Sequence, residues 1–396
     1  MKINIVKLNA NKRDSDIVEK LNKNLSFNNI SLIENVKDSP FTIFFILSGG
    51  VEGDFKQLMN KYSSPYYIVS LNENNALAAS MEICTYLNSL NIKHTLFVNE
   101  ETMVNDIINL ACSYHAKKKM RGIKLGVLGE PSSWLIASNV DYEKAKNKFD
   151  IDILDIDINE LYNFLKKPHD IEYPKHFEEL SKKNPFDDRL LFESILVYNS
   201  LKRIIKKYNL YGLTIRCFDL VKKYKVSACL ALSLLNDEGV VCSCEGDVPS
   251  LLTMVLVRCL TSKESFMANL SKVDFIKNEC VFAHCTIPTK MCKNYILDHH
   301  YETDESIAIK GELYNSLISV IKLSPSLDDM RVISGYIVSN LNEMCFCKTQ
   351  IKVSLDTDMN DFIDNKFANH SVIIYGNYKK LFEKFASLFV YNNLKD

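Results

Sequence analysis

The stretch Gly239-Val240-Val241-Cys242-Ser243-Cys244-Glu245-Gly246-Asp247-Val248-Pro249-Ser250-Leu251-Leu252-Thr253-Met254 decides the fold class. Its apolar start, 239–244, reads as a buried strand. Residues 249–262 read as a helix with Pro249 in the first turn. The segment before it has the same design, with a strand over 212–217 and a helix over 219–236. Repeated strand–helix pairs call for an open, mostly parallel sheet wrapped by helices. Toward the N-terminus this unit begins at Gly122, with strands over 123–128 and 150–156 and helices near 158–166 and 189–207. A polar stretch lies around 168–188. A separate alternating region precedes it, with strands at 2–8, 41–47, 66–71 and 93–98 and helices at 14–24, 54–61, 74–90 and 101–118. The run Lys117-Lys118-Lys119-Met120-Arg121 reads as a solvated linker. Beyond 275 the pattern changes to short β-rich runs at 279–284, 306–310, 316–323, 331–339, 349–355 and 371–375, then a helix at 378–390. The expected organisation is an N-terminal α/β domain (1–119), a second α/β domain (120–275) and a mainly antiparallel β domain (276–396).

Of the 396 residues, 47% are apolar and 24% charged, which supplies material for buried cores and excludes a disordered chain. Lys plus Arg (48) nearly balances Asp plus Glu (49), so no global basic field favours nucleic acid. The strongest apolar run, Phe41 to Leu47, is far short of the roughly 20 residues of a membrane span. The first residues alternate like a strand, with no signal-peptide core. Twelve cysteines in such a chain read as reduced thiols in the cytoplasm. Cys242-x-Cys244 and Cys345-x-Cys347 are the close pairs, and they read as buried thiols rather than zinc ligands.

Familiar loop motifs fail. Gly122, Gly126 and Gly129 do not have dinucleotide-binding spacing, and they lie within a strand rather than after it. Ser48-Gly49-Gly50-Val51-Glu52-Gly53 lacks the Lys-Ser/Thr end of a phosphate loop, and there is no Gly-x-Ser-x-Gly nucleophile elbow. What remains is a set of strands ending in acids or imidazoles: 213–217 leading to Asp219, 240–244 leading to Glu245 and Asp247, 281–283 leading to His284, and 371–375 preceded by His370. Ligands gather beyond the carboxyl ends of strands in open α/β sheets. Mixed carboxylate and imidazole groups suit Mn²⁺, Mg²⁺ or Co²⁺. Each residue also has a structural reading. Asp247 and Asp219 can cap the helices that follow them, Glu245 can pair with a cation, and a single histidine is often a satisfied core residue. His299-His300 lies in a polar run and reads as surface.

Several strings resemble the L-fucose/L-arabinose isomerase family, especially its shorter fucose-isomerase-like branch. They are Gly129-Glu130-Pro131-Ser132-Ser133-Trp134-Leu135-Ile136-Ala137-Ser138, Arg216-Cys217-Phe218-Asp219-Leu220, and Cys244-Glu245-Gly246-Asp247-Val248-Pro249. Leu232-Ser233-Leu234-Leu235-Asn236-Asp237, Phe266-Met267-Ala268-Asn269, Phe282-Ala283-His284-Cys285-Thr286-Ile287-Pro288 and Lys310-Gly311-Glu312-Leu313 belong to the same set, with a fainter likeness at Asn74-Asn75-Ala76-Leu77-Ala78-Ala79. The likeness runs in order from about residue 41 to 377. Departures occur at Asn369-His370-Ser371, where the branch often has Asn-His-His, and at Ala268-Asn269-Leu270-Ser271, where it often has Ala-Asn-Pro-Ser.

The resemblance implies two Rossmann-like doubly wound domains followed by a C-terminal mainly antiparallel β domain. It implies a divalent cation, usually Mn²⁺, and interconversion of an aldose and a ketose through a cis-enediol. By the same likeness Asp219, Asp247 and His370 are the expected metal ligands, and Asp219 and Asp247 the expected catalytic carboxylates. His284, Glu245, Trp134 and Asn269 are candidate extra ligands or substrate contacts. The implied partners are a monosaccharide and further copies of the chain, as a trimer or hexamer, with neither nucleic acid nor membrane. A sugar-binding or regulatory protein on the same fold, without turnover, is the competing reading, and a metal-dependent lyase or epimerase is a third.

Overall fold

In the computed structural model, which describes residues 1–10, 16–166, 171–175, 177–365 and 367–391, the unbroken apolar runs become central parallel strands. Two units are distinguished, Met1–His115 and Ala116–Asp396. In the first, Thr42–Ile46 and Tyr66–Ser70 are apolar on both faces because helices cover both sides of the sheet. Five parallel strands lie in the order second, first, third, fourth, fifth: Ser31–Glu34, Lys2–Leu8, Thr42–Ile46, Tyr66–Ser70, His94–Phe97. The Ser31–Glu34 edge strand was not expected, since only Leu32 in it is fully buried. The predicted start of the first helix, at 14–15, and parts of the polar stretch around 168–188 lie outside the described residues.

The lysine run expected as a linker is instead the last turn of helix Glu100–Met120. Ala116 and Met120, one turn apart, are both buried there, so the apolar face outlasts the charges.

The second unit opens with a four-stranded parallel sheet, again ordered second, first, third, fourth: Asp152–Ile156, Lys124–Leu128, Gly212–Ile215, Val241–Ser243. The chain order reverses between Lys124–Leu128 and Gly212–Ile215. A crevice beyond the carboxyl ends of such a pair is where doubly wound sheets bind ligands. The expected helix over 219–236 is two helices, Cys217–Tyr224 and Cys229–Asp237. Lys225 turns left-handed (φ 59°), and Ser227 is bound instead to Ser306 and Ile307 of another segment.

The C-terminal part is antiparallel and closes into a barrel. Around it run Phe266–Asp274, Glu279–His284, Thr349–Leu355, Met330–Asn340, Leu317–Leu323 and His370–Tyr375, the last pairing back to the first. Closure removes the sheet edges. The barrel draws its first strand from 266–274, within the range expected to end the second domain. Cys292–His299 and Ile307–Leu313 form a separate hairpin. No helix among the described residues is long and apolar enough to cross a membrane.

Candidate metal centre

Strand Val241–Ser243, the edge strand beside Gly212–Ile215, delivers Glu245 on a tight turn past its carboxyl end. Glu245 (φ 61°) and Gly246 (φ 75°) are both left-handed. Glycine is required at 246, because a Cβ there would stand 2.6 Å from Pro131 Cα and 2.8 Å from the Glu130 carbonyl oxygen. At Glu245 the same conformation is held by a side chain of chemical use, the kind of backbone strain that clusters at functional sites. Its carbonyl accepts from the Ser132 N–H at 2.9 Å, so loop 129–139 is fastened directly to it. Asp247 then caps helix Val248–Thr261, its Oδ1 accepting from Ser250 N–H at 2.7 Å.

The barrel contributes the imidazoles. His284 is the last residue of Glu279–His284, and His370 is the first of His370–Tyr375. Strand Phe266–Asp274 lies between these two and pairs with both, Asn269 standing opposite Ala283 on one side and His370 on the other. The rings meet edge to face with centroids 5.5 Å apart. Glu245, His284 and His370 are all buried, and one nitrogen or oxygen from each lies within 4.8 Å of the others. Glu245 Oε1 is 3.6 Å from His284 Nε2 and 3.6 Å from His370 Nε2, too far for a hydrogen bond.

The groups behind this triad fix its chemistry. His370 Nδ1 lies 2.8 Å from Asp247 Oδ2. An ionised carboxylate only accepts, so Nδ1 carries the hydrogen and Nε2 of the neutral ring presents a lone pair. His370 Nε2 is buried with no hydrogen-bond partner. On the far side, His284 Nδ1 meets Thr286 Oγ1 at 3.0 Å. Lys322, 4% exposed, stands 3.5 Å from Asp247 Oδ2 and donates to Ser250 Oγ at 2.7 Å.

Burial alone would raise the Glu245 pKa, but the two facing imidazoles hold it well below the usual carboxylate range. Asp247 is likewise held low against its own burial, first by the charge of Lys322 and then by His370. Burial lowers the Lys322 pKa, and Asp247 only partly restores it. His370, despite its burial, is raised by Asp247 and Glu245. The pocket therefore favours positive charge between two carboxylates, either as a proton on His370 or as a cation at its Nε2. An unpartnered buried imidazole nitrogen, a second imidazole and an ionised carboxylate form a donor set that fits a divalent ion of intermediate hardness. The Asp247 contact has the form of a carboxylate orienting a metal-binding histidine.

The sequence-expected residues fall in different places. His370, His284 and Glu245 come together as the group just described. Asp247 stands one bond behind it: Oδ1 is taken by the helix and Oδ2 by His370 and Lys322, and the residue has no exposed surface. Asp219 is outside the group. It sits in the first turn of Cys217–Tyr224, with Oδ2 3.0 Å from Arg216 Nε. Arg216 also reaches Glu130 at 3.7 Å. Trp134 donates from Nε1 to Glu245 Oε2 at 2.8 Å and packs edge-on against Phe218. Asn269 accepts from Asn369 at 3.2 Å. His300, expected on the surface, is 4% exposed, with Nδ1 3.0 Å from Thr303 Oγ1 and its ring against Phe218. Lys322 was missed. Its signal was a lysine inside the apolar run Leu317-Ile318-Ser319-Val320-Ile321-Lys322-Leu323, where an alternating strand would place it inward.

No family model matches the chain. It is similar to the sulfoquinovose isomerase of Alkalicoccus urumqiensis, at 24% identity over 275 residues, covering 64% of this chain and 61% of that protein. It is also similar to the sulfoquinovose isomerase of Priestia megaterium, at 23% over 276 residues, covering 65% and 61%. The matched region thus spans about three fifths of the length of these curated relatives.

Proposed function

We propose that the chain is a divalent-metal-dependent isomerase that interconverts an aldose and a ketose. The observation that carries this reading is the buried Glu245–His284–His370 group, with His370 Nε2 unpartnered, at the carboxyl end of a doubly wound sheet. Similarity to sulfoquinovose isomerases points the same way and makes sulfoquinovose the first sugar to test. Glu245, His284 and His370 would hold the ion, with Mn²⁺ the expected species. When bound, the ion supplies a Lewis acid that polarises the sugar carbonyl and acidifies the neighbouring hydroxyl.

The chain's own residues then divide the work. Asp247 keeps His370 in the tautomer that leaves Nε2 open. Moving the proton between C2 and C1 through a cis-enediol needs a carboxylate with an oxygen to spare. Asp219 is the candidate, because Arg216 contacts its Oδ2 and its side chain is 37% exposed at the crevice. Arg216 holds that carboxylate in place. The same reading carries the expectation of a cytoplasmic homo-oligomer, which sedimentation velocity tests for assembly.

The decisive experiment incubates the chain with Mn²⁺ and sulfoquinovose, then a panel of aldoses, in D₂O, followed by NMR. Ketose formation with deuterium entering at the migrating position supports the isomerase. Saturable sugar binding without conversion of any member favours a binding protein on the same fold.

A further inference from the structure

Trp134 is the single tryptophan of the chain, and it is not in the core. It lies in loop 129–139 with 49% of its surface exposed. Its indole N–H donates to Glu245 Oε2 at 2.8 Å, a charge-assisted bond to an otherwise buried carboxylate. The same loop binds the Glu245 backbone through the Ser132 N–H at 2.9 Å. The Phe218 ring meets the indole at 90° with centroids 4.8 Å apart, which fixes the direction of the N–H. One carboxylate oxygen is thereby occupied, and the other, Oε1, faces both imidazoles at 3.6 Å. A carboxylate free to rotate about its last torsion would present either oxygen or both.

We propose that Trp134 is a positioning residue that holds Glu245 as a one-oxygen metal ligand, Oε1 toward the ion and Oε2 on the indole. The inference rests on the metal-site reading above. It also makes the only indole of the chain a direct reporter of the site.

The test compares the unaltered chain with Trp134→Phe, which keeps an aromatic ring beside Phe218 and removes the N–H donor along with part of the indole. Mn²⁺ affinity is read from the EPR signal of the free ion. Co²⁺ visible absorption reads coordination, and thermal melting without metal reads folding. The expected result is an unchanged melt, Mn²⁺ affinity about 10- to 100-fold weaker, as for other groups that orient a ligand, and a weaker, altered Co²⁺ spectrum as Glu245 gains freedom. A second arm needs no variant. Tryptophan emission of the unaltered chain should change on adding Mn²⁺ and saturate at the concentration given by EPR. Affinity within twofold of the unaltered chain together with an identical Co²⁺ spectrum overturns the inference and leaves the metal site standing. Emission blind to bound Mn²⁺ also counts against it. Absence of any Mn²⁺ binding by the unaltered chain overturns both.

Discussion

Replacing Asp247 by Asn separates a helix cap from an electrostatic keystone. Asn caps a helix about as well as Asp, so the bond from Ser250 N–H to Oδ1 survives. The charge does not. Lys322 Nζ is 3.5 Å from Oδ2, with side-chain exposures of 5% and 0%. Coulomb's law at an effective dielectric of 20 gives about 5 kcal/mol at that distance. Removing one partner of a buried pair costs about 3–5 kcal/mol. The new amide group also turns N–H donors toward Lys322 and His370 Nδ1, which already donate. Asp247→Asn should therefore lower the melting temperature of the second unit by on the order of 10 °C. Trp134 lies in that unit and is the only tryptophan, so its fluorescence follows this unfolding alone. Asp247→Asn combined with Lys322→Met removes the stranded cation and should recover most of the stability. It should not recover Mn²⁺ binding, because His370 has still lost the acceptor that fixes its tautomer. A single variant within about 1 kcal/mol of the unaltered chain, or a double variant no more stable than the single, would refute the reasoning.

Gly246→Ala should abolish Mn²⁺ binding measured by calorimetry, since a Cβ only 2.6 Å from Pro131 Cα forces apart the turn that carries Glu245. Acid should weaken the second unit partly through Asp328. Burial there is outweighed by hydrogen bonds from Lys144 and Lys148, leaving its pKa below the ordinary 3.8. That contribution is complete above the unfolded value and is lost as pH falls through the lowered folded value. In urea titrations Asp328→Asn should be less stable than the unaltered chain at pH 7, and the gap should close as the pH falls through the lowered folded-state value. Thiol titration under denaturing conditions without reductant should find all twelve cysteines, including Cys217 and Cys244, whose sulfurs lie 3.2 Å apart. A shortfall of two or more would mean a disulfide.

The parallel sheets were legible because buried strands such as Thr42–Ile46 write themselves as unbroken apolar runs. Phe266–Asp274 was not, since its second half is only partly buried and carries Ser271, Lys272 and Asp274. The break at Lys225 was hidden for a different reason: apolar periodicity continues across it, and the hydrogen bonds that bend the chain come from 306–307. In the site, local spacing pointed at strand ends, and Glu245, His284 and His370 do converge, but it ranked the carboxylates by their neighbours in sequence. Asp247 before Val248-Pro249 looked like a cap and a ligand at once, and nothing local separates those roles. Only the barrel register, which brings His370 to Asp247 Oδ2, leaves Glu245 facing the open nitrogen. Lys322 has no partner within its own segment, so its role was invisible until strand Leu317–Leu323 was placed beside the helix that Asp247 caps.

The barrel seam has a consequence for how the chain matures. Strand His370–Tyr375 pairs with Phe266–Asp274 on one side and Leu317–Leu323 on the other, so it is the stave that completes the ring. Its first residue is also the last, in chain order, of the three side chains proposed to hold the ion. Until that stave docks, Glu245 and His284 face each other without the third donor, and the closed ring does not exist. An ion that binds only the completed arrangement favours closure by mass action, by about 2.7 kcal/mol when its concentration is a hundred times its dissociation constant. Assembly of the barrel and loading of the centre are then one event. Starving the chain of cation should show first as proteolytic sensitivity at this seam, before any change in the parallel sheets.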